Sequence, residues 1–448
     1  MKRSASSKAK ATPRAKKPRN EAPEYHLTPS VRDDETGEII WPAPKAQIEQ
    51  ARSFIRDCVA AKEKTLIAPD KDADGLSSGV ILYKTLLLLG LPEDLITVHL
   101  LAKGHSIHDE SERAAMTAVG ASYVFVLDQG STAAPPVVDG PHRALVIDHH
   151  WAPEDGDRPA GAERVTACCC PPVATSAMLT HHICAALHGG VAAACDWLCV
   201  VGAHGDLGNA LKWEPPLPDM RATFKAHTKK ALNEAVALVN APRRAAAHNV
   251  RDAWSALAAA SGPRDLLDEG ALRAARAEVR DEVRRCTRAP PSFSADGRVA
   301  VLRVRSPAQV HPVIATRWAG MLGPKRLEVV LAANDGYLPG QVHFSCRVAR
   351  RARAREGGGD GGAPPVNIMA VLEEIAARAP DPTLRERLGA AFARGHREAS
   401  GGVVTTEAFE EFIAVLELKS RSKKGAAGGA SDGIEGTPEG EKGASPTT

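Results

Sequence analysis

The sequence predicts an α/β protein: a parallel-sheet domain, a helical connector and a smaller α/β domain, with a cleft between the two α/β parts. Three observations predict it. Through the first 200 residues, short runs that are apolar on every side chain alternate with helical periodicities, the pattern of a buried parallel sheet. Strand signals then vanish from about residue 215 to 288, where Ala, Arg and Leu dominate. They return at Val299 with VAVLRV, LEVVLAA and QVHFSCRV.

The elements follow in order. Ile48, Ala51, Phe54, Ile55 and Cys58 recur at helical spacing within 45–63. Residues 65–68 (TLIA) read as a strand leading into PDKDADG and a helix over 76–89. Further strands are expected at 95–102, 123–127 and 144–147, and helices at 175–187 and 191–201. In the second half, helices are expected at 311–322, 367–377, 384–392 and 406–418, with an exposed loop over 350–365. The domain reading is a disordered basic arm at 1–24, a first domain at 45–214, a connector at 215–296, a second domain at 297–418 and a disordered tail at 419–448.

Composition narrows the function. Of 448 residues, 44% are hydrophobic and 25% charged, a soluble globular balance. No apolar run approaches the roughly 20 residues of a membrane span, so no membrane partner is expected. Aromatics at 4% argue against binding by an aromatic stacking surface, such as an RRM sheet. The first twenty residues hold eight Lys or Arg and no acid, so the net charge of +3 leaves about −5 for the rest. Any polyanion binding by the body must therefore be local. Lys16-Lys17-Pro18-Arg19 resembles a nuclear import signal, so a nuclear or cytoplasmic location is expected ahead of a mitochondrial one.

The chemistry is carried by where the acids fall. Asp72 and Asp74 follow the first strand, Asp128 follows another, and Asp148-His149-His150 follow a third. Asp206 follows a fourth apolar segment. Ligands in open α/β sheets bind beyond the carboxyl ends of the strands. Asp72, Asp74, Asp128 and Asp206 would bring four negative charges to one place, enough to neutralise two divalent ions. Carboxylates with some imidazole suit Mn²⁺, or Mg²⁺, over thiolate-bound zinc. Such a pair of ions clamps a phosphoryl group and activates water.

PDKDADG, VFVLDQGS, VIDHHWAP and GAHGDLG, in that order, resemble the four motifs of the DHH phosphoesterase superfamily. That superfamily includes RecJ exonucleases, oligoribonucleases and cyclic-dinucleotide phosphodiesterases. Gly395-His396-Arg397-Glu398-Ala399-Ser400-Gly401 resembles the GGHxxAxG signature of its associated DHHA1 domain, and Ser345-Cys346-Arg347 its S-x-R strand. The resemblance covers about residues 45–418. It implies that the first domain is a DHH domain and the second is DHHA1-like. It implies Asp72, Asp74, Asp128, His149 and Asp206 as ligands of two divalent ions, with Asp128 bridging. Asp148 and His150 would orient those ligands, and His150 is a further candidate ligand. Asp148, His149 and His150 together are the expected catalytic set. Ser345, Arg347, Gly395, His396 and Gly401 would hold substrate phosphates, the guanidinium as a fork.

Two positions depart from the pattern. A His often precedes the first aspartates, where this chain has Ala68 at one offset and Asp70 at the other, so either Asp70 substitutes as a ligand or one metal site is weak. Arg394 stands for the first Gly of GGH. The function expected is metal-dependent hydrolysis of a phosphodiester, with single-stranded nucleic acid or an oligonucleotide as substrate. The alternatives are a small-molecule phosphodiesterase or pyrophosphatase, and a non-catalytic DHH-derived scaffold.

Weaker signals have plainer readings. Cys168-Cys169-Cys170, Cys184, Cys195 and Cys199 lack paired CxxC spacing and read as core packing. His105 and His108 read as solvated loop residues, and the connector arginines from Arg243 to Arg285 as ion-paired helix faces. Arg350, Arg351, Arg353 and Arg355 could touch a polyanion.

Overall fold

The computed structural model describes residues 29–152, 157–356, 365–389 and 391–419. The basic arm at 1–24, with its candidate import signal, and the tail from 420 lie outside the described residues, as does 357–364 of the expected loop.

The first sheet has five strands: β1 (Thr65–Pro69), β2 (Ile96–Val98), β3 (Tyr123–Leu127), β4 (Arg143–Asp148) and β5 (Ala162–Thr166). Their order is β2-β1-β3-β4-β5 and every pairing is parallel. The register sets Pro69 beside Leu127, and Leu127 beside Ile147, so the strands end together and their following residues converge. Both faces are covered. Ile67, Phe125, Leu145 and Ile147 pack under α1 (Lys45–Ala61), α2 (Ala73–Leu88), and the later helices α4 (Ser176–Ala185) and α5 (Val191–Leu207). Leu66, Val124, Val126 and Val146 face the other way, against Met116 of α3 (Glu110–Thr117). This explains the uninterrupted apolar strands. In α1 the buried residues are Ile48, Ala51, Phe54, Ile55 and Cys58, the five that define its periodicity.

The connector is helical: α6 (Arg221–Ala226), α7 (Lys229–Val239), α8 (Ala241–Arg244), α9 (Val250–Ala259) and α10 (Gly270–Cys286). A second sheet follows, built from β6 (Ser292–Phe293), β7 (Val299–Val304), β8 (Val329–Asn334), β9 (Gln341–Val348), β10 (Arg394–His396) and β11 (Ala399–Thr405). Its order is β10-β11-β9-β8-β7-β6, with β7–β8 parallel and the rest antiparallel. Between β7 and β8 runs α11 (His311–Met321), which covers one face with Ile314 and Ala315. The opposite face packs against α13 (Ile368–Ala377), α14 (Leu384–Arg387) and α15 (Thr406–Ala414) through Leu372, Leu384, Phe409 and Phe412.

Several expectations are corrected. The strand at 95–102 is only Ile96–Val98, and the helix at 384–392 only Leu384–Arg387. The loop at 350–365 begins as α12 (Arg350–Glu356). Strand β5, helix α3 and the β10–β11 hairpin carry no signal that sequence reading detects. Cys170, Cys184, Cys195 and Cys199 are buried, the packing role expected of small hydrophobes, but Cys168 is only partly buried and Cys169 is exposed, so the core-packing expectation fails for those two.

Candidate metal centre

Asp72 caps α2: its Oδ1 accepts from the Asp74 and Gly75 amides at 3.0 and 3.2 Å. This aims its other oxygen outward. Asp74, in the first turn of α2 and fully buried, accepts from the Ser176 and Ala177 amides at 2.8 and 3.1 Å, at the start of α4. Asp128 leaves β3 in the left-handed region, at φ 61°, and its Oδ1 accepts from the Ser176 hydroxyl at 2.8 Å. A non-glycine residue holds that conformation only where its surroundings enforce it.

Asp206 arrives differently. It sits in the last turn of α5, not beyond a strand. Gly202 and Gly205 let α5 lie against α4 and α2: a Cβ on Gly202 would stand 2.4 Å from Ala177 Cβ of α4 and 2.8 Å from Asp74 Oδ1 of α2. A Cβ on Gly205 would stand 2.9 Å from Ala73 Cβ. The close approach carries Asp206 to the histidine of the third motif. His149 Nε2 is 3.1 Å from Asp206 Oδ2, 3.3 Å from Asp128 Oδ1 and 4.0 Å from Asp74 Oδ2.

Three groups of donor atoms lie within 4.8 Å of one another: Asp70 with Asp72 and Asp128, Asp74 with His149 and Asp206, and Asp128 with His149 and His150. Asp128 and His149 each belong to two groups. Asp70, the substitute suggested by the departure at Ala68, is therefore placed with Asp72 and Asp128. Asp148 stands outside all three. Its Oδ1 accepts from the His149 and His150 amides and from His150 Nδ1, at 2.8, 3.2 and 2.8 Å, and its Oδ2 from the Ser131 amide at 3.2 Å.

The electrostatics suit cations. Burial, then Asp206, raises the Asp74 carboxyl to about 7. Burial and the neighbouring Asp74, Asp72 and Asp206 push Asp128 well above the usual carboxylate range, and burial with Asp72 raises Asp70. Burial works the same way on Asp72, but the Arg243 guanidinium and the Gly75 and Asp74 amides outweigh it and hold that carboxyl low. Burial of Asp148 is likewise outweighed by His150, leaving it at about 2. Carboxylates this close cannot all ionise without positive charge among them. His149 Nε2 is buried with no aligned hydrogen-bond partner, among carboxylate oxygens. That donor set of hard oxygens and one imidazole fits Mn²⁺ or Mg²⁺.

Residues from outside the motifs complete the floor. Asn240 Oδ1 accepts from the Ala73 amide at 3.3 Å and from Arg243 Nε at 2.9 Å, while Arg243 Nη2 lies 3.6 Å from Asp72 Oδ2. Ser176, Asn240 and Arg243 belong to none of the sequence motifs, and Arg243 serves this floor and not the solvated helix face expected of it. His105 bonds Glu112 at 2.8 Å, a structural role, whereas His108 lines the cleft.

The acids open into a cleft of about 930 Å³. Its lining includes Asp70, Asp128, Asp148, His150 and Trp151 on one side, and Met369, Ala393 and Arg397 of the second domain on the other. The expected phosphate grip is distributed otherwise. Ser345 is buried in β9 opposite Gly401 of β11. Arg347 Nη1 donates to its neighbour's carbonyl, Cys346 O, at 2.8 Å and lines a separate cavity of about 230 Å³ with Arg350 and Arg353. Gly395 and His396 lie in β10, paired with Ser400 and Ala399, and the His396 side chain falls outside the described residues.

No protein-family model matches this sequence, and no curated protein matches it by sequence. Solved structures do match its fold. RecJ from Thermus thermophilus in complex with Mn²⁺ superposes with a TM-score of 0.56 at 17% identity. That match covers 84% of this chain and 55% of the RecJ chain, so the present chain spans about half of that protein's length. A manganese-bound exonuclease RecJ gives a TM-score of 0.54 at 16% identity, covering 84% of this chain and 94% of that one. A DHH domain described as a member of a family of ribosomal proteins gives 0.56 at 16%, covering 84% and 92%. With its acids gathered at the carboxyl ends of β1, β3 and β4 and a second α/β unit across the cleft, the chain has the fold of the DHH superfamily.

Proposed function

We propose that the protein is a divalent-metal-dependent phosphodiester hydrolase acting on single-stranded or short nucleic acid, in the manner of an exonuclease or oligoribonuclease. One observation carries the reading: the buried His149 Nε2 is surrounded by the carboxylates of Asp74, Asp128 and Asp206, at 4.0, 3.3 and 3.1 Å. The RecJ neighbours, described with Mn²⁺, support the choice of metal.

In this reading Asp70, Asp72 and Asp128 would hold one ion, and Asp74, His149 and Asp206 another, with Asp128 adjoining both. Bound there, the two ions supply Lewis-acid stabilisation of the phosphoryl charge and activation of the attacking water. The chain does the rest. Ser176 holds Asp128 and Asp74 at a fixed separation. Asp148 fixes the His150 ring through Nδ1, which turns Nε2 of a half-exposed side chain toward the cleft to exchange a proton. Arg243 keeps Asp72 ionised, and Arg397 offers the phosphate a guanidinium from the second domain. Resemblance alone assigns Arg347 and His396 to the substrate; Arg347 lines a separate cavity, so Arg397 is the guanidinium of that domain that faces the cleft. The reading keeps the domain limits expected from the sequence, 45–214, 215–296 and 297–418, and a nuclear or cytoplasmic location on the strength of the basic arm alone.

The test is purified protein with Mn²⁺ against end-labelled single strands, dinucleotides and pyrophosphate in parallel. Release of nucleoside monophosphates that EDTA abolishes is expected. Hydrolysis of pyrophosphate alone would move the function to the small-molecule alternative. Inertness toward all three, with metal bound, would favour the scaffold.

A further inference from the structure

Trp151 directly follows His150 and lines the same cleft. It is 71% exposed, the most exposed large apolar side chain among the described residues. The other five tryptophans are buried or half-buried. An indole left in water forgoes the transfer free energy that usually draws it inward, so an unoccupied face of this size calls for an occupant. The setting says which. Beside it lie the metal acids, suited to a phosphodiester. The cleft wall also holds Ile107, Met369 and Ala393, an apolar strip amid polar Gln129, Ser131 and Thr132. A volume of about 930 Å³ is far more than an inorganic anion requires and is of the size that encloses a nucleotide-sized ligand.

We propose that Trp151 is a nucleobase platform on the rim of the metal cleft, stacking the base of a nucleotide whose phosphate lies at Asp128. A base offers a flat apolar face and polar edges, which suits a cleft lined by the indole together with Gln129 and Thr132. Stacking tolerates any base, because each has a π-face. One such platform agrees with a chain poor in aromatics: it grips one base and does not read a sequence. The inference rests on the phosphodiester reading above and names its substrate class as nucleotide-bearing, against pyrophosphate.

Two measurements test it. The first compares kcat/KM on a dinucleotide and on its abasic counterpart. Alanine replacement of a stacking residue weakens binding by about 5- to 150-fold per base. Trp151→Ala is therefore expected to lower the dinucleotide-to-abasic ratio about tenfold, and Trp151→Phe to keep most of it. Equal loss on both substrates, or none on either, overturns the platform. The second needs no turnover: intrinsic fluorescence is titrated with adenosine monophosphate and with ribose 5-phosphate. Adenosine monophosphate should quench, ribose 5-phosphate should not, and Trp151→Phe should remove the quench. Quenching that persists in Trp151→Phe overturns the proposal. Quenching by Trp151 in a protein that hydrolyses no phosphodiester would instead overturn the catalytic reading and leave the platform standing.

Discussion

The Ser176 hydroxyl donates to Asp128 Oδ1 at 2.8 Å, while the amide of the same residue donates to Asp74 Oδ2 at 2.8 Å. One residue at the first turn of α4 thus ties together carboxylates from the first and second motifs. Hydrogen bonds to charged groups contribute about 1.5–3 kcal/mol. Ser176→Ala keeps the amide contact and loses the hydroxyl one. It should weaken Mn²⁺ binding by roughly tenfold or more on that scale, with the fold intact. Calorimetric titration of Mn²⁺ reads the first outcome and thermal unfolding the second; unchanged affinity would show that Asp128 is positioned by the backbone alone.

Asp128 is shared by two donor groups, so it should be the most damaging acid to lose. Asp128→Ala is expected to reduce kcat by about 10³-fold or more, within the range of a removed transition-state contact in a dry site. Asp70→Ala, affecting one group, should do less. Retention of a tenth of wild-type kcat by Asp128→Ala at saturating metal would end the bridging assignment.

Gly202 is where α5 lies against α4 and α2, within reach of Asp74. Gly202→Ala drives a methyl into Ala177 Cβ and Asp74 Oδ1, so the helices must part. Overpacking of this kind costs about 1–3 kcal/mol. The shift also carries Asp206 away from His149, because Asp206 lies about one turn further along the same helix. The expected result is a lowered Tm together with metal affinity reduced more than that of Ser176→Ala. A Tm equal to wild type would contradict the packing.

The metal-free protein should lose stability as pH rises. Asp74, raised by burial and Asp206 from 3.8 to about 7, binds its proton more tightly folded than unfolded. Stability from it is complete below its unfolded value and falls as pH climbs from about 4 through about 7. Burial opposes the charge on His149, but Asp206 and Asp74 outweigh burial and raise it from 6.5 to about 9. That stabilisation is present below 6.5 and is lost through about 9. Both shifts act in one direction. In EDTA, Tm should fall between about pH 6 and about pH 9, and Mn²⁺ should flatten the slope by supplying the missing charge. A rising Tm in EDTA would show that the carboxylates are solvated rather than crowded.

Much of this site was legible because motif acids follow strands that are apolar throughout. Asp72, Asp128 and Asp148 sit at strand ends whose burial made those strands visible, and α1 is buried on the five residues that spelled its period. What escaped reading depends on partners far along the chain. Strand β5 (AERVT) carries Glu163 and Arg164 at an edge, where Glu163 pairs with Arg143 at 2.9 Å, so its alternation is blurred. The hairpin partner β11 begins Ala-Ser-Gly-Gly, too small to signal a strand; a Cβ on Gly401 would stand 2.4 Å from Phe344 O, which is why the position is glycine. Ser176 and Asn240 act on residues at separations of 48 and 167 positions, so nothing local marks them.

Lys103 joins the three parts of the chain. Its Nζ donates to Ala246 O of the connector at 3.1 Å and to Pro307 O, ahead of α11, at 2.6 Å, and it lies 4.4 Å over the Tyr337 ring. Burial depresses its ammonium, and the Glu278 charge opposes that only in part. The adjoining Gly104, at φ 82°, abuts Leu338, so a Cβ there would meet Leu338 Cδ1 at 2.3 Å. The loop at 103–104 is thus fitted against the second unit. A charged hydrogen bond contributes about 1.5–3 kcal/mol and a half-buried cation–π contact about 1 kcal/mol. Lys103→Met keeps the stem and removes the charge, so it should loosen the two α/β parts without unfolding either. The expected signature is a KM increase with kcat largely kept, because the metal acids and the second-domain wall of the cleft no longer hold a fixed separation. Small-angle scattering should show a larger radius of gyration than wild type. A drop in kcat at unchanged KM and unchanged radius would place Lys103 in the chemistry of the metal loop and not in the seam between domains.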